Sequence, residues 1–348
     1  MGLGENPPGV LVLYNESLNL IKGEPHDMLA EHGVIACATA VAEALSENYK
    51  VIKVPVHTDI ELALSPYPPT DWFVFNLGEG VEGRLFEAAR IAWALDALGY
   101  TFTGAGGNTI ANTTHKHLAK QYLAQAHLPT PTGWVFRDPR EVGGDYPYPL
   151  IVKPVAEDGS LGITADSVVH DREALLERVG YVIECYRQAA LVEQFVKGRE
   201  FNISIWGKPP EVLPLDEIDF SDIANPCNRI VSFAAKWEVD SFDYNHTPGM
   251  CPAHVDVELG QRISAIALGA WHALACEGYA RIDIRVDQDG NPYIVEINCN
   301  PDLSPEAGFY RAARTAGYSY PGMVTKIAQM AYNSNPRFCR SDSTRGKE

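Results

Sequence analysis

The sequence predicts a mixed α/β and α+β protein of two or three subdomains. Strands and helices alternate over about the first 100 residues, which is typical of a parallel sheet covered by helices. Short strands dominate from Leu150 onward, and a hairpin is predicted near the C-terminus. The length of 348 residues is sufficient for several hydrophobic cores.

Composition excludes several classes of protein. Hydrophobic residues make up 46% of the chain and charged residues 21%, which is ordinary for a globular enzyme. The net charge of −17 argues against nucleic acid or an anionic membrane surface as the main partner. The 7 cysteines are scattered singly and indicate reduced thiols. Because no signal peptide or membrane span is predicted, we expect a cytoplasmic enzyme with small-molecule partners.

The first third of the chain alternates apolar strands with helices. Gly104 to Gly107 lacks the GxGxxG spacing of a dinucleotide loop and is interpreted as a turn. Pro129 and Pro131 follow the last helix of this region and end it. The predicted strands are 10–14, 51–56, 72–76 and 101–103, and the predicted helices are 27–47, 82–98 and 108–126.

The rest of the chain begins with a proline- and glycine-rich boundary at 138–149. Residues 219–254 are polar, aromatic and aperiodic, and they are too long for an ordinary connection, so we expect a lid. Predicted strands are 150–153, 191–196 and 201–206, and predicted helices are 172–187, 255–276 and two within 304–330. The expected subdomains are 1–107, 108–205 and 206–335, followed by a disordered tail at 336–348.

The predicted hairpin consists of strands 279–286 and 292–298, joined by a turn that contains Asp289-Gly290. A two-residue loop of Asp289 and Gly290 pairs Gln288 with Asn291, and counting outward then pairs Asp283 with Glu296. A four-residue loop from Gln288 to Asn291 gives the same register. The same count pairs Arg281 with Asn298. Side chains alternate along a strand, so the intervening isoleucines are expected in a core and the charged residues on the opposite face.

Two carboxylates directly opposed on neighbouring strands have Cβ atoms about 5 Å apart, and their repulsion requires a nearby cation. The oxygens of Asp283, Glu296 and Asn298 are the hard ligands that Mg²⁺ takes, usually together with waters and phosphates. The alternative is a solvent-facing sheet surface whose charges are neutralised by Arg281 and Arg285.

Two further segments have features of a nucleotide site. Lys153 closes an apolar strand and is followed by Glu157-Asp158-Gly159-Ser160-Leu161-Gly162, whose backbone N–H groups can approach an anion closely, although a hairpin tip uses the same residues. Glu193 and Glu200 flank a glycine turn and are suited to an adenine amino group and ribose hydroxyls. The alternative for both glutamates is a solvated position beside the turn.

Along the chain, Lys153 is followed by the glycine loop, then by Glu193 and Glu200, and then by the hairpin with its carboxylates. This order of elements resembles that of the ATP-grasp superfamily. Within it, residues 10–331 resemble the D-alanine–D-alanine ligase family, with support from Tyr100 to Gly104, the His115-Lys116 pair, Cys251 to Ala253 and Ala312 to Gly317. The resemblance implies an ATP-grasp fold with an N-terminal Rossmann-like subdomain, ATP and two Mg²⁺ ions (Mn²⁺ being an alternative), carboxylate and amine substrates that are amino acids, and a homodimer.

The resemblance also implies roles for particular residues. ATP would be held by Lys116, Lys153, Glu157, Gly159, Ser160, Gly162, Glu193, Val196, Glu200 and Lys236, and the metals by Asp283, Glu296 and Asn298. The catalytic residues would be Arg281, Lys236, Glu31 and Ser160. The substrate would meet Glu31, Arg281, Asp302 and Glu306. The implied reaction is formation of an acyl phosphate, which an amine then converts to an amide under the closed lid.

Departures from the family pattern concern the acceptor. The family's tyrosine after the lid lysine is Trp237, and its Ser-Leu pair is replaced by Ala307-Gly308 beside Glu306. Asp302 and Glu306 form an acidic rim that disfavours a free carboxylate, unless Glu306 merely starts a helix. We therefore expect a ligase with altered acceptor specificity. The alternatives are a D-alanine–D-alanine ligase of cell-wall synthesis and an ATP-binding module without turnover.

Overall fold

The computed structural model describes residues 8–16, 20–80 and 87–334, except for the side chain of Glu31. The predicted tail 336–348 and the start of the predicted helix 82–98 lie outside the described residues. The N-terminal subdomain has a three-stranded parallel sheet of order β2-β1-β3. Its elements are β1 (Gly9–Asn15), α1 (Met28–Leu45), β2 (Val51–Val56), α2 (Ile60–Leu64), β3 (Trp72–Asn76) and α3 (Glu87–Ala97).

The central strand β1 is buried along its whole length because helices cover both faces of this sheet. Val10 and Val12 pack with α1, whereas Leu11 and Leu13 pack with α3. The prediction of a strand at 101–103 is wrong, because this segment forms only an isolated parallel bridge between Phe102 and Val74. By length and composition, the helical segment Pro25–Leu45 could cross a membrane, but a buried core helix passes the same test.

The predicted helix 108–126 is two helices, α4 (Gly107–Thr114) and α5 (Lys116–Gln125). They separate at His115, which has an extended backbone and is the N-cap residue of the second helix. Its ring Nδ1 accepts a hydrogen bond of 3.3 Å from the Leu118 N–H. A four-stranded sheet of order β4-β7-β5-β6 follows, packed against α6 (Arg172–Tyr186). Its strands are β4 (Gly133–Phe136), β5 (Leu150–Pro154), β6 (Val168–Val169) and β7 (Ala190–Gln194).

The third sheet has six strands in the order β11-β10-β8-β12-β13, with β9 paired to β8. Its strands are β8 (Gly198–Trp206), β9 (Glu211–Val212), β10 (Asp216–Ile218), β11 (Gly249–Met250), β12 (Tyr279–Asp287) and β13 (Pro292–Asn298). The helices are α7 (Phe233–Trp237), α8 (Phe242–His246), α9 (Val257–Ala273), α10 (Gly308–Thr315) and α11 (Tyr320–Ser334). The division into 1–107, 108–205 and 206–335 stays a prediction.

The hairpin β12–β13 pairs Asp283 with Glu296 and Arg281 with Asn298, as predicted. The predicted pairing of Gln288 with Asn291 is wrong, because the Asp287 N–H donates to the Asn291 carbonyl (3.0 Å) around a three-residue loop. An odd loop shifts the register by one residue, and a bulge after Asp283 shifts it back. Without that bulge Glu296 would point into the hydrophobic core.

Candidate active site

A cleft of about 740 Å³ lies between the four-stranded and six-stranded sheets, within the usual size range of small-molecule sites. A smaller cavity of about 150 Å³ adjoins it on the side of the N-terminal subdomain. The two share a wall formed by Glu157, Gly159, Leu161, Lys236, Trp237 and Asp302. The cleft is lined by most of the predicted nucleotide and metal residues, among them Lys116, Lys153, Glu157, Gly159, Ser160, Glu193, Val196, Glu200, Lys236, Arg281, Asp283 and Glu296.

Glu193 is buried at the floor of the cleft, with 1% of its surface exposed. Its two carboxylate oxygens are each 2.5 Å from a lysine Nζ, one from Lys120 and the other from Lys153. Burial opposes ionisation, but the lysines outweigh it and hold the pKa of Glu193 below its ordinary value. The solvated alternative is therefore wrong for Glu193. Lys120 was not among the predicted residues, although it lies one helical turn after Lys116.

Glu200 also lies in the cleft and is paired with Arg285, whose Nη1 is 2.6 Å from Oε2. Arg285 is 5% exposed and donates to the carbonyls of Val196 (2.7 Å) and Arg229 (2.8 Å). It therefore fixes the connection between β7 and β8. Because Arg285 and Asp283 are both buried, the alternative of a solvent-facing sheet surface is wrong. Glu200 is itself buried, so the solvated alternative is wrong for this residue as well.

The two opposed carboxylates each contact a protein cation. Arg281 donates two hydrogen bonds of 2.7 Å to Asp283, which also accepts one of 2.9 Å from Asn202. Lys116 Nζ is 2.5 Å from Glu296. Burial opposes ionisation of Glu296, but Lys116 prevails and lowers its pKa to about 2. Glu296 is thus suited to remain anionic beside the cleft.

This donor set fits magnesium bound mainly through phosphate oxygens. Two carboxylates face each other across neighbouring strands, and the lysine and arginine that neutralise them line the same cleft. Among the described residues, no group of three or more His, Cys, Asp and Glu side chains is arranged to hold a metal alone. Asn298 Oδ1 accepts a hydrogen bond of 2.7 Å from the Asn300 N–H and lines the smaller cavity.

The glycine loop has a left-handed backbone at Gly159, Ser160 and Gly162, with φ values of 66°, 61° and 71°. Such values are strained for serine, and a strained residue persists only when its surroundings hold it. Ser160 Oγ donates to the Val231 carbonyl (2.9 Å), and Trp237 Nε1 donates to the Gly159 carbonyl (2.8 Å). The segment that contains α7 therefore lies directly on the loop, as expected for a lid.

Two more predicted residues, Glu157 and Lys116, meet at the start of the loop. The side chain of Glu157 bonds to Lys22 and to Gln188 Nε2 (2.5 Å), so it faces residues outside the nucleotide cleft as well. Lys116 Nζ also donates to the Glu157 carbonyl. These contacts tie the loop to the N-terminal segment, to the connection between α6 and β7, and to α5.

The predicted substrate residues are partly described. The side chain of Glu31 lies outside the described residues. Asp302 accepts hydrogen bonds from the Ser304 N–H (2.8 Å) and Oγ (3.1 Å) in the shared wall. Glu306 is exposed at the cleft and directly precedes the N-cap residue Ala307 of α10, a position that agrees both with an acidic rim and with a helix start.

A buried ion pair that the sequence analysis missed lies at the same end of the cleft. Arg311 on α10 donates to both carboxylate oxygens of Asp216 at 2.9 and 2.7 Å, and Asp216 has no exposed surface. The two residues are 95 positions apart, so no local pattern indicates their contact. Their charges balance each other, so the pair adds no net charge to this end of the cleft.

Comparison with known proteins covers most of the chain. The family described as D-ala D-ala ligase C-terminus matches residues 132–329. The D-alanine–D-alanine ligase of Desulforudis audaxviator is 31% identical over 307 residues, covering 84% of this chain and 91% of that protein. The uncharacterized protein y4sG of Sinorhizobium fredii is 31% identical over 278 residues, with coverage of 79% and 80%.

Solved structures share the fold at lower identity. The D-alanine–D-alanine ligase from Bacillus anthracis complexed with ATP superposes with a TM-score of 0.73 at 18% identity, covering 94% of this chain and 98% of that one. The VanG D-Ala:D-Ser ligase from Enterococcus faecalis has a TM-score of 0.70 at 18% identity, with coverage of 93% and 99%.

Proposed function

We propose a function from one established premise, which is that the chain belongs to the D-alanine–D-alanine ligase family of ATP-grasp ligases. The reaction we propose joins a carboxylate donor to an amine acceptor other than D-alanine, through an acyl phosphate and at the expense of ATP. The observation that carries it is the opposed pair Asp283 and Glu296, which faces a cleft with buried lysines.

Nucleotide binding is assigned to the described contacts of the cleft. Lys116, Lys153 and Lys236 supply positive charge for phosphates, with the loop from Glu157 to Gly162 above them. The adenine would lie near Glu193 and Val196, and the ribose near Glu200. Asp283, Glu296 and Asn298 would hold Mg²⁺ or Mn²⁺, and the metal when bound neutralises the phosphate oxygens.

The residues around the acyl group perform the chemistry. A donor carboxylate oxygen attacks the γ-phosphorus and ADP leaves, after which the uncharged acceptor amine attacks the acyl carbon, its nitrogen loses a proton and phosphate leaves. Arg281 lies beside Asp283 in the cleft and stabilises the negative charge that develops on the acyl oxygen. Lys236 approaches the transferred phosphoryl group from the lid, and Glu31 orients the donor. Ser160 holds the lid through its bond to Val231 and so helps to exclude water.

Acceptor specificity is assigned to the rim at the far end of the cleft. Ala307 and Gly308 offer no side-chain hydroxyl for a carboxylate, and the exposed Glu306 repels one. Arg311 is already engaged by Asp216, so its charge is balanced. An acceptor whose carboxylate is masked or absent therefore fits best.

The test compares D-alanine with D-alaninamide as the acceptor, measured by release of ADP and phosphate with the donor held constant. We expect the amide to be used better, because it has no carboxylate to meet the rim. Efficient and exclusive use of D-alanine would instead establish the second candidate, a D-alanine–D-alanine ligase, which the 31% identity to the Desulforudis audaxviator enzyme favours. A cytoplasmic location and a homodimer stay predictions.

A further inference from the structure

The acceptor end of the cleft holds a second arginine that is bound in the same way as Arg281. Arg281 donates to Asp283 through Nε and Nη2. Arg311 donates to Asp216 through the same two nitrogens. In each side chain the third nitrogen, Nη1, has no hydrogen bond to the described residues and is not fully buried. Both arginines line the cleft, with 17% and 23% of their side chains exposed, so each has two N–H groups left for a ligand.

The two ion pairs lie on one row of the six-stranded sheet. Asn202 on β8 is directly opposite Asp216 on β10, and it is also directly opposite Asp283 on β12. Directly opposed residues point to the same face of a sheet, and two strand spacings separate the aspartates by about 10 Å. Arg281 is assigned to the acyl oxygen. A small amine that attacks the acyl carbon there would therefore extend along this row toward Arg311.

Two glycines make room for the guanidinium group of Arg311. A Cβ on Gly249 would lie 2.0 Å from Nη2, and a Cβ on Gly308 would lie 3.3 Å from Nη2 and 2.9 Å from Asp216 Oδ2. Gly249 is on β11 and Gly308 begins α10, and both line the cleft. Asp216 has no exposed surface and binds the guanidinium group through two parallel hydrogen bonds, which fix its orientation. The N–H groups of Nη1 are thus preorganised for a ligand.

The charges around Arg311 favour an uncharged ligand group over an anion. Asp216 neutralises the guanidinium group, and the exposed Glu306 adds negative charge to the same part of the cleft. A carboxylate would therefore meet a net negative surface, whereas a carbonyl oxygen needs only N–H donors. An amide or an ester is a carboxyl group in which the charge has been removed and the carbonyl oxygen kept.

We propose that Arg311 is a specificity residue for the acceptor, and that its Nη1 donates to the carbonyl oxygen of an amide or ester group beside the acceptor's amine-bearing carbon. This inference rests on the proposed function, because it treats this end of the cleft as the acceptor's site. It names the chemical group that replaces the carboxylate. It also assigns recognition of that group to a residue outside the nucleotide and metal sites.

The test first identifies a donor with hydroxylamine. Each proteinogenic amino acid and its D-enantiomer is supplied with ATP and Mg²⁺. The hydroxylamine nitrogen attacks the acyl phosphate, loses a proton and displaces phosphate, which leaves a hydroxamate. The amino acid that gives the most hydroxamate is then used as the donor at saturating concentration. Amide products are measured by mass spectrometry, so condensation of two donor molecules is counted separately.

The acceptors differ only in the group next to the amine-bearing carbon. Alaninamide and alanine methyl ester, each as both enantiomers, carry a carbonyl there, and isopropylamine carries a methyl group. Arg311→Lys keeps a cation for Asp216 but removes Nη1. We expect it to lower the ratio of kcat/KM for alaninamide to kcat/KM for isopropylamine by about tenfold or more. Differences in amine basicity cancel between enzyme forms, and a structural disturbance alone would lower both values and leave the ratio unchanged.

Two further variants control for the buried ion pair. Arg311→Met combined with Asp216→Leu removes both charges and leaves no unpaired buried ion, and we expect the same fall in the ratio. Arg314→Lys changes an exposed arginine on the same helix, and we expect the ratio to stay within about twofold of wild type. An unchanged ratio in both Arg311 variants, or an equal fall in Arg314→Lys, would overturn the inference.

The remaining acceptors distinguish the carbonyl source and the carboxylate alternative. An equal effect of Arg311→Lys on the ester and the amide supports recognition of the carbonyl itself, and an effect confined to the amide supports an amide acceptor. Alaninamide used better than alanine, with a ratio that the Arg311 variants do not change, would retain the proposed function and reject this inference. Alanine used best, and lost in Arg311→Lys, would show that Arg311 binds a carboxylate and would reject both.

Calorimetry tests the acceptor site without turnover. If no amino acid yields a hydroxamate, the ligase reaction is rejected. Alaninamide and isopropylamine are then titrated into the full chain with Mg²⁺ and a non-hydrolysable ATP analogue. Selective binding of alaninamide that Arg311→Lys abolishes would retain the carbonyl site, and equal binding of the two amines would reject it.

Discussion

Replacement of Arg285 by methionine tests whether one arginine holds together the floor of the nucleotide cleft. The wild-type side chain pairs with the buried Glu200 and donates to the carbonyls of Val196 and Arg229. Loss of one partner of a buried ion pair leaves an uncompensated charge and typically costs about 3–5 kcal/mol. We expect Arg285→Met to lower the free energy of unfolding by that amount, measured by urea unfolding at neutral pH.

The double variant Arg285→Met with Glu200→Met separates the ion pair from the carbonyl bonds. Apolar replacement of both charged partners is often nearly neutral, so the remaining cost is the three carbonyls of Val196, Gly198 and Arg229 left without their donor, at about 0.5–1 kcal/mol each. We therefore expect the double variant to be more stable than Arg285→Met, at about 2 kcal/mol below wild type. Its affinity for ATP should still be reduced, because no carboxylate remains for the ribose.

The control is Arg262→Met, which removes an exposed arginine that bonds to the Gly290 carbonyl in the same hairpin. A change within about 0.5 kcal/mol is expected there. The reasoning would be refuted by an Arg285→Met variant as stable as this control. It would also be refuted by a double variant less stable than the single one.

Three further predictions concern the reaction. Arg281→Ala should lower kcat about 10²- to 10³-fold with little change in ATP affinity, measured in steady state, and an undiminished kcat would contradict its role. The pKa of Glu296 is lowered to about 2, so its ionised form stabilises the fold fully at pH values above the ordinary carboxyl pKa. That stabilisation is lost as the pH falls toward 2. Carboxyl NMR should show Glu296 still ionised at pH 3.5 in wild type but titrating at higher pH in Lys116→Met; identical curves would contradict the pairing. Trp237→Phe removes the bond to Gly159 and should raise ATP hydrolysis uncoupled from amide formation severalfold, and unchanged coupling would show that the bond does not exclude water.

The hairpin shows how far the sequence determines this site. Period-two alternation and the Asp-Gly turn were enough to predict that Asp283 faces Glu296. The turn length itself was predicted wrongly, and the bulge compensates for it. A bulge residue such as Val295 has no local signature, since valine is equally common in regular strands.

Other parts of the site depend on contacts between distant segments. The pairing of Lys120 with Glu193 joins α5 to β7, and Asp216 meets Arg311 only after the third sheet has formed. Whether a glutamate beside a glycine turn is solvated or buried depends on what packs above it. For that reason the sequence left both alternatives open, and the burial of both glutamates in the folded chain excludes the solvated one.

The helix break at His115 has a different cause. The residues around His115 have ordinary helix propensity, so the helical pattern of apolar residues continues through the break. The Lys116 N–H donates to the Val155 carbonyl at 2.9 Å, which is a tertiary contact. That contact places Lys116 beside the glycine loop, and no single-helix pattern indicates it.

The central claim is that Asp283 and Glu296 bind divalent metal with ATP, and the most direct test is a count of bound ions. Mn²⁺ titration followed by electron paramagnetic resonance, with a non-hydrolysable ATP analogue, should show two ions per wild-type chain. Asp283→Asn and Glu296→Gln should each lose at least one ion, whereas Asp289→Asn in the same hairpin should keep both, because Asn-Gly suits that turn equally well. Full occupancy in both cleft variants would contradict the account.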